Sequence, residues 1–84
     1  MPQKTIEDFR KEIDVCDAVI ADMLGKRLSI VKSLAESGLK NVVRDPGREQ
    51  QVIRNAMKAA GHEFGSIVAE IYKEIIKQSI RIQK

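Results

Sequence analysis

The sequence predicts an all-α protein of three helices, one long and two shorter, that pairs with a second copy of itself. Two observations indicate this fold. Apolar residues repeat at helical spacings throughout the chain, and no segment alternates apolar and polar residues as a half-buried strand does. The 84 residues make one small domain, 1–84, whose own core would be only marginally stabilising. A partner chain is therefore expected.

The first helix is predicted from a capping pair at its start and a glycine at its end. Thr5 and Asp8 have the spacing of residues that cap each other's backbone N–H groups, and Gly38 is suited to closing a helix. A helix of about 33 residues is a rod of roughly 50 Å. A globule of this chain length has a radius of gyration of about 12 Å, so the rod is expected to extend beyond the rest of its chain.

An apolar seam follows this helix at alternating spacings of three and four residues. It consists of Ile6, Phe9, Ile13, Cys16, Ile20, Met23, Ile30 and Leu34. A repeat held over about four heptads calls for a matching seam on another helix. Self-association through the first helix meets that need most simply.

Arg27 is the one residue that interrupts the apolar seam. A guanidinium keeps its charge in a protein, so its burial is costly unless an anion meets it. The residues one helical turn away are not acidic: Met23, Leu24, Ile30 and Val31. Arg27 is therefore expected to pair with another helix or with a ligand.

Two shorter helices are predicted after a short connection. Asp45 caps the second helix and Pro46 begins it, and the helix is expected to run to about Ala60 and end at Gly61. Its inward residues are predicted to be Val52, Ile53, Ala56, Met57 and Ala60. The third helix is predicted to begin between residues 63 and 66 and to continue to the end of the chain. Its inward stripe contains Val68, Tyr72, Ile75, Ser79 and Gln83, so it turns polar in its last two turns.

Composition narrows the classes of function. The net charge is +3, but positive and negative residues are mixed along the chain, which argues against a nucleic-acid partner. No apolar run approaches the roughly 18 residues needed to cross a bilayer, and the start of the chain lacks the apolar core of a signal peptide. Cys16 is expected to be a small buried residue in a reducing compartment. A cytoplasmic location follows.

No motif for metal, covalent or cofactor chemistry is visible. His62 is the only histidine and lies at a predicted helix junction, without metal-ligand spacing to Cys16. Glycine-rich phosphate loops and nucleophile–base pairs are absent from the sequence. The remaining candidates lie at the margins of apolar faces: Arg10, Arg27, Asp45, Arg48, Glu49, Ser79 and Gln83. Such a set suits a small polyanion held by bidentate arginine contacts.

Two of these arginines are too far apart to hold one small molecule from a single chain. Arg10 and Arg27 lie 17 residues apart on one helix, a rise of about 25 Å. An antiparallel pair of long helices would bring Arg10 of one chain toward Arg27 of the other and create two equivalent sites. Arg10 also fits a solvated surface residue, because Glu7 and Asp14 lie within one turn.

The other candidates have structural explanations as well. Asp45 is a helix cap whatever else it does. Glu49 is favoured by the helix dipole in a first turn, and Arg48 fits an exposed position. Ser79 and Gln83 fit polar residues at a fraying C-terminus.

Three blocks of sequence carry a family resemblance. FRKEIDVCDAVIADMLGKRLSIV, RDPGREQQV and IYKEIIKQSIRIQ, in this order and spacing, resemble the all-helical class of chorismate mutases over essentially the whole chain. The resemblance implies an intertwined homodimer of three-helix chains that converts chorismate to prephenate without a cofactor. It also implies active sites shared between the two chains.

The resemblance implies a role for each candidate residue. Arg10 would reach across from the partner chain to one substrate carboxylate, and Arg27 would hold a carboxylate from its own chain. Arg48 would support the same anionic environment. The carboxylates of Asp45 and Glu49 would lie near the ring hydroxyl. At the end of the third helix, Ser79 would line the carboxylate end of the site, and Gln83 would donate to the ether oxygen whose bond breaks.

One position departs from the family pattern. The family usually carries a lysine near the end of the first helix, where it contacts a carboxylate and the ether oxygen, and this chain has Gly38 there. Glycine is expected at that position as a helix cap. Lys40, just beyond, is a hypothetical replacement. Two alternatives stay open, an isochorismate pyruvate lyase on the same scaffold and a non-catalytic helical dimerisation module.

Overall fold

A computed structural model describes residues 3–39 and 45–83 as three α-helices. They are α1, Ile6–Glu36; α2, Pro46–Ala60; and α3, Gly65–Gln83. No strand occurs in these two ranges. The predicted all-α class with one long and two shorter helices is confirmed. Chain contacts divide the molecule into two compact units, residues 1–30 and residues 31–84.

The ends of α1 have the predicted chemistry. The backbone N–H of Thr5 donates to Asp8 Oδ2 (2.9 Å), and the N–H of Asp8 donates to Thr5 Oγ1 (3.2 Å). This reciprocal pair satisfies two donors that the first turn leaves without intrahelical partners. The helix ends at Glu36, and Gly38 follows with φ of 77°, a left-handed conformation that glycine adopts without strain. Closure by Gly38 is confirmed.

The ends of α2 also follow the prediction. Asp45 caps the helix, because its side chain accepts a hydrogen bond from the N–H of Arg48, and Pro46 occupies the first turn. At the other end, the N–H of Gly61 donates to the carbonyls of Met57 and Lys58, and Gly61 has φ of 89°. The chain then passes through a short turn into α3.

Helices α2 and α3 pack against each other and build a small core. Its buried residues are Ala56 on α2 and Gly65, Ala69, Ile76 and Ser79 on α3. A Cβ atom at Gly65 would lie 3.2 Å from the Met57 carbonyl oxygen. Small residues therefore allow the close approach of the two helices where the hairpin turns.

The predicted inward stripes are only partly right. On α2, Ala56 is buried and Val52, Ile53 and Ala60 are half-buried, but Met57 is 39% exposed. On α3, the most buried positions include Gly65 and Ala69, which the prediction did not name. A second set of large apolar residues on α3 remains exposed: Ile67, Ile71 and Ile82.

Helix α1 has no buried residue. Ile13 is 57% exposed and Ile20 is 55% exposed, and Cys16 is exposed as well. The expectation that Cys16 is buried is therefore not met within one chain. The apolar seam of α1 lies open along most of its length.

Candidate active site

Arg10 lies near the start of α1 and has one acidic neighbour. Its Nη1 atom donates to Glu7 Oε1 at 2.7 Å, and the two side chains are 62% and 65% exposed. An exposed ion pair of this kind contributes about 0–1 kcal/mol. The guanidinium can therefore exchange Glu7 for a stronger anionic partner at little cost.

Arg27 occupies the same helix, farther toward its end. It is half-buried, whereas its apolar seam neighbours Met23 and Ile30 are exposed. Because α1 is continuous from Ile6 to Glu36, the Cα atoms of Arg10 and Arg27 are about 25 Å apart along its axis. One small molecule is therefore too short to contact both guanidinium groups of a single chain.

The start of α2 positions three candidate residues within one turn. Asp45 Oδ1 accepts from the backbone N–H of Arg48 at 3.1 Å, and the Asp45 carbonyl accepts from the N–H of Glu49 at 2.9 Å. The Arg48 guanidinium is exposed and donates to Gln51 Oε1 at 2.9 Å. Glu49 is half-buried. Asp45 thus acts as a cap, as predicted, and one of its oxygens is committed to that role.

The last turns of α3 carry the remaining polar candidates. Ser79 is only 7% exposed, and its Oγ donates to the Ile75 carbonyl at 2.8 Å. Gln83 is half-buried and is the last residue of a regular helix. The burial of Ser79 argues against its explanation as a polar group at a fraying terminus. A serine hydroxyl in a helix often donates to the carbonyl four residues earlier, and Ser79 also makes an interaction beyond this bond.

The two compact units divide the candidates. Arg10 and Arg27 belong to the first unit, residues 1–30. The second unit holds Asp45, Arg48, Glu49, Ser79 and Gln83. Within that unit, α2 packs on α3, and Glu49 lines one groove with Ile76 and Ile80, which flank Ser79 along the helix. Lys40 lies outside the described residues.

The same groove contains residues that the sequence prediction did not consider. Three basic residues of α3 line it: Lys73, Lys77 and Arg81. Their spacing of four residues places them on one side of a helix. That spacing is visible in the sequence, but residues of both signs surround it, so it is equally typical of a solvated helix face.

Two further observations concern metal binding and membrane-spanning helices. Among residues 3–39 and 45–83, no three histidine, cysteine, aspartate or glutamate side chains lie close enough together to hold a metal ion. Within the same ranges, no helix is both long and apolar enough to cross a bilayer. The candidate residues are three arginines, two carboxylates, a hydroxyl and an amide.

A comparison with known protein families identifies the family of the chain. The model of the family described as chorismate mutase type II matches residues 9–84. The chain belongs to this family. The match covers every candidate residue, from Arg10 at its start to Gln83 near its end. Neither the curated proteins nor the solved structures that were compared with the chain include a match. The chorismate mutase type II family accounts for the all-α fold and for a function of the chorismate mutase type.

Proposed function

We propose that this protein is a chorismate mutase, an isomerase that rearranges chorismate to prephenate without a cofactor. The observation that carries the proposal is the family match across residues 9–84, which includes all seven candidate residues in the described ranges. Their side chains are those that a dicarboxylate requires, since arginine binds carboxylates with two parallel hydrogen bonds. The activity would place the protein in aromatic amino acid biosynthesis, in the cytoplasm.

The proposed site binds the two carboxylates of chorismate through arginines. Arg27 binds one carboxylate from its own chain, and Arg10 of a second chain binds the other. Arg48 adds positive charge beside them. The short bond between Arg10 and Glu7 is consistent with this role, because an exposed ion pair exchanges readily for a substrate carboxylate.

The other end of the proposed site serves the ring and the breaking bond. Asp45 and Glu49 accept from the ring hydroxyl, and Ser79 lines the carboxylate end. Gln83 donates to the ether oxygen. Support comes from the half-buried position of Glu49 and Gln83 and from the burial of Ser79, because packing of the hairpin holds these polar side chains in place.

The proposed mechanism needs no nucleophile and no proton transfer. The reaction is unimolecular, with one carbon–oxygen bond breaking as a carbon–carbon bond forms, so the protein has to hold a compact conformer of the substrate. Negative charge builds up on the ether oxygen in the transition state. A fixed donor such as Gln83 stabilises that charge more than it stabilises the ground state, which lowers the barrier.

The proposal requires an antiparallel, intertwined homodimer. Arg10 and Arg27 of one chain are about 25 Å apart along α1, whereas one substrate needs both kinds of contact. The open apolar seam of α1 supports the dimer, because Ile13, Ile20 and Met23 are all more than half exposed in the single chain. An antiparallel arrangement of two seams gives two equivalent sites with one arginine of each kind.

The chain has Gly38 where the family resemblance implies a lysine. At Gly38 the chain has left the helix in a left-handed conformation, so a residue there does not continue the face of α1. We propose that either Lys40 supplies the cation or the site functions without it. Steady-state kinetics of Lys40→Ala distinguish these cases, since an unchanged rate removes Lys40 from the site.

The decisive experiment is a product assay. Purified protein is incubated with chorismate, loss of chorismate absorbance is followed, and the product is identified, with Arg27→Ala as the inactive control. Prephenate is the expected product. Salicylate and pyruvate formed from isochorismate, without prephenate from chorismate, would instead make the protein a lyase. A protein that binds neither dicarboxylate would be a helical dimerisation module.

A further inference from the structure

Arg10 and Arg27, the two arginines proposed to bind the substrate carboxylates, have different acidic surroundings on α1. Within four positions of Arg27 the sequence contains no acidic residue. Within four positions of Arg10 it contains four: Glu7, Asp8, Glu12 and Asp14. At this range, a carboxylate of the same helix can therefore compete for the guanidinium of Arg10 but not for that of Arg27.

Two of these four carboxylates are bound to other partners. Asp8 Oδ2 accepts from the backbone N–H of Thr5 at 2.9 Å, as part of the capping pair. The two carboxylate oxygens of Glu12 accept from Lys4 Nζ at 3.0 Å and 2.8 Å. Either carboxylate would have to give up its present bond before it could bind Arg10.

The remaining two carboxylates differ in their contact with Arg10. Glu7 Oε1 accepts from Arg10 Nη1 at 2.7 Å, whereas Asp14 forms no ion pair within residues 3–39 and 45–83. The order along the helix favours Glu7, because an acid that precedes its basic partner interacts with it better than an acid that follows. The contact with Glu7 therefore singles out one carboxylate of the four.

We propose that Glu7 sets the substrate affinity of the active site, because its carboxylate competes with a substrate carboxylate for Arg10. This inference rests on the proposed function. A substrate carboxylate that accepts two parallel hydrogen bonds from Arg10 displaces Glu7, which returns to water. Because the two side chains are 62% and 65% exposed, the exchange weakens substrate binding only by about two- to fivefold.

Glu7 also has a structural explanation, which predicts the opposite result. It lies in the first turn of α1, where the helix dipole favours an acid. If this were its only role, its loss would loosen the end of the helix that carries Arg10, and poorer positioning raises KM or lowers kcat. Removal of a competitor instead tightens substrate binding. The sign of the change in KM therefore separates the two roles.

Steady-state kinetics of the full chain with chorismate test the inference at low ionic strength, where exposed charges are screened least. Glu7→Gln keeps the length of the side chain and removes its charge. We expect its KM to be about two- to fivefold lower than that of the wild type, with kcat unchanged, because the displaced bond affects the bound substrate and the transition state equally.

Two further variants make the test specific to the Arg10–Glu7 pair. Asp14→Asn removes the same charge one turn from Arg10 without breaking an ion pair, so its KM should stay near that of the wild type. In an Arg10→Ala background, Glu7→Gln should leave KM unchanged, because the group for which Glu7 competes is gone. Circular dichroism verifies that each variant is folded.

The outcomes distinguish this inference from the proposed function. With an active wild-type chain, an unchanged or raised KM in Glu7→Gln would overturn the inference alone. An equal fall of KM in Asp14→Asn, or in the Arg10→Ala background, would also overturn it, because either result indicates a general effect of charge. A wild-type chain that does not turn over chorismate would contradict the proposed function, and this inference with it.

Discussion

Helix α1 and the α2–α3 hairpin use similar amphipathic sequences in different ways. The hairpin buries residues of both its helices against each other, including Ala56, Ala69 and Ile76. Helix α1, the longest element at 31 residues, buries none. The hairpin thus builds a core within one chain. The apolar seam of α1 becomes a stabilising feature only when another helix covers it.

The free energy available from burying the apolar seam of α1 is large for a chain of 84 residues. Burying one large aliphatic or aromatic side chain contributes roughly 1.5–3 kcal/mol, and the seam contains seven of these besides Cys16. Domains are stable by only about 5–15 kcal/mol in total. A protein that left this seam in water would forgo much of the stabilisation available to it. We therefore expect the proposed dimer to stabilise the folded chain.

The largest effect is expected from a charge placed in the apolar seam of α1. In Ile13→Asp each chain brings a carboxylate to the shared interface, so the loss of apolar burial counts twice, roughly 3–6 kcal/mol. We expect the dissociation constant of the dimer to rise at least about a hundredfold, and turnover to be lost. Sedimentation velocity measures the first and the chorismate assay the second.

A matched control for the seam variant lies on the same helix. Ser29→Asp adds the same charge at an exposed position on the opposite side of α1 from Ile20. It should leave both the dimer and its activity close to wild type. If Ile13→Asp sediments as the wild-type dimer does, the seam is not the interface.

The next prediction tests whether sites are shared between chains. Arg10→Ala and Arg27→Ala should each lower turnover about a hundredfold or more, because each removes a charged contact to the substrate. Mixing the two inactive variants should restore activity. Random exchange makes half of the dimers mixed, each with one intact site, so about a quarter of wild-type activity is expected.

The variants measured separately are the baseline for the mixing experiment, and Lys11→Ala is the surface control beside Arg10. Arg27→Lys keeps the charge but not the planar guanidinium fork, so it should recover only part of the activity. Mixtures that are no more active than the separate variants would show that both arginines act within one chain, contrary to the proposal.

Two glycine substitutions compare packing in the two regions. At Gly65 a Cβ would meet the Met57 carbonyl oxygen at 3.2 Å, whereas at Gly25 in α1 it would meet nothing within 4 Å. Gly65→Ala should destabilise the protein by about 1–3 kcal/mol through overpacking. Gly25→Ala should stabilise it by up to about 1 kcal/mol through helix propensity. Thermal unfolding of the two variants measures this difference, and equal shifts would contradict the close approach of α2 and α3.

The sequence predicted the helix ends well because they depend on local chemistry. The reciprocal bonds of Thr5 and Asp8, the cap at Asp45 and the closing glycines Gly38 and Gly61 all involve atoms within a few residues. Packing was predicted less well. The predicted stripe of large apolar residues includes Met57, which is exposed, and omits Gly65, whose missing side chain allows the helices to meet.

The candidate site could be predicted only as a set of residues. Ser79 was placed on the inward stripe of α3, and its burial confirms that placement. How Arg10 reaches a substrate depends on a second chain, and periodicity within one chain does not specify the register between two copies. The sequence does not distinguish the basic residues of α3, Lys73, Lys77 and Arg81, from a solvated helix face, because acidic residues at positions 70 and 74 lie on the same stretch of helix.

The smallest expected change in stability concerns Asp45 at the start of the hairpin. This residue has a capping role and a proposed role in substrate binding. Its Oδ1 accepts from the Arg48 N–H at 3.1 Å, so Asp45→Ala should lower the free energy of unfolding by about 1 kcal/mol. Asp45→Asn keeps an acceptor at that position, and asparagine caps about as well as aspartate, so stability should return to near wild type. If the carboxylate also accepts from the ring hydroxyl, kcat/KM should stay low in Asp45→Asn although the fold is restored. Chemical unfolding and steady-state kinetics on both variants measure the two effects, and full activity in Asp45→Asn would limit Asp45 to capping.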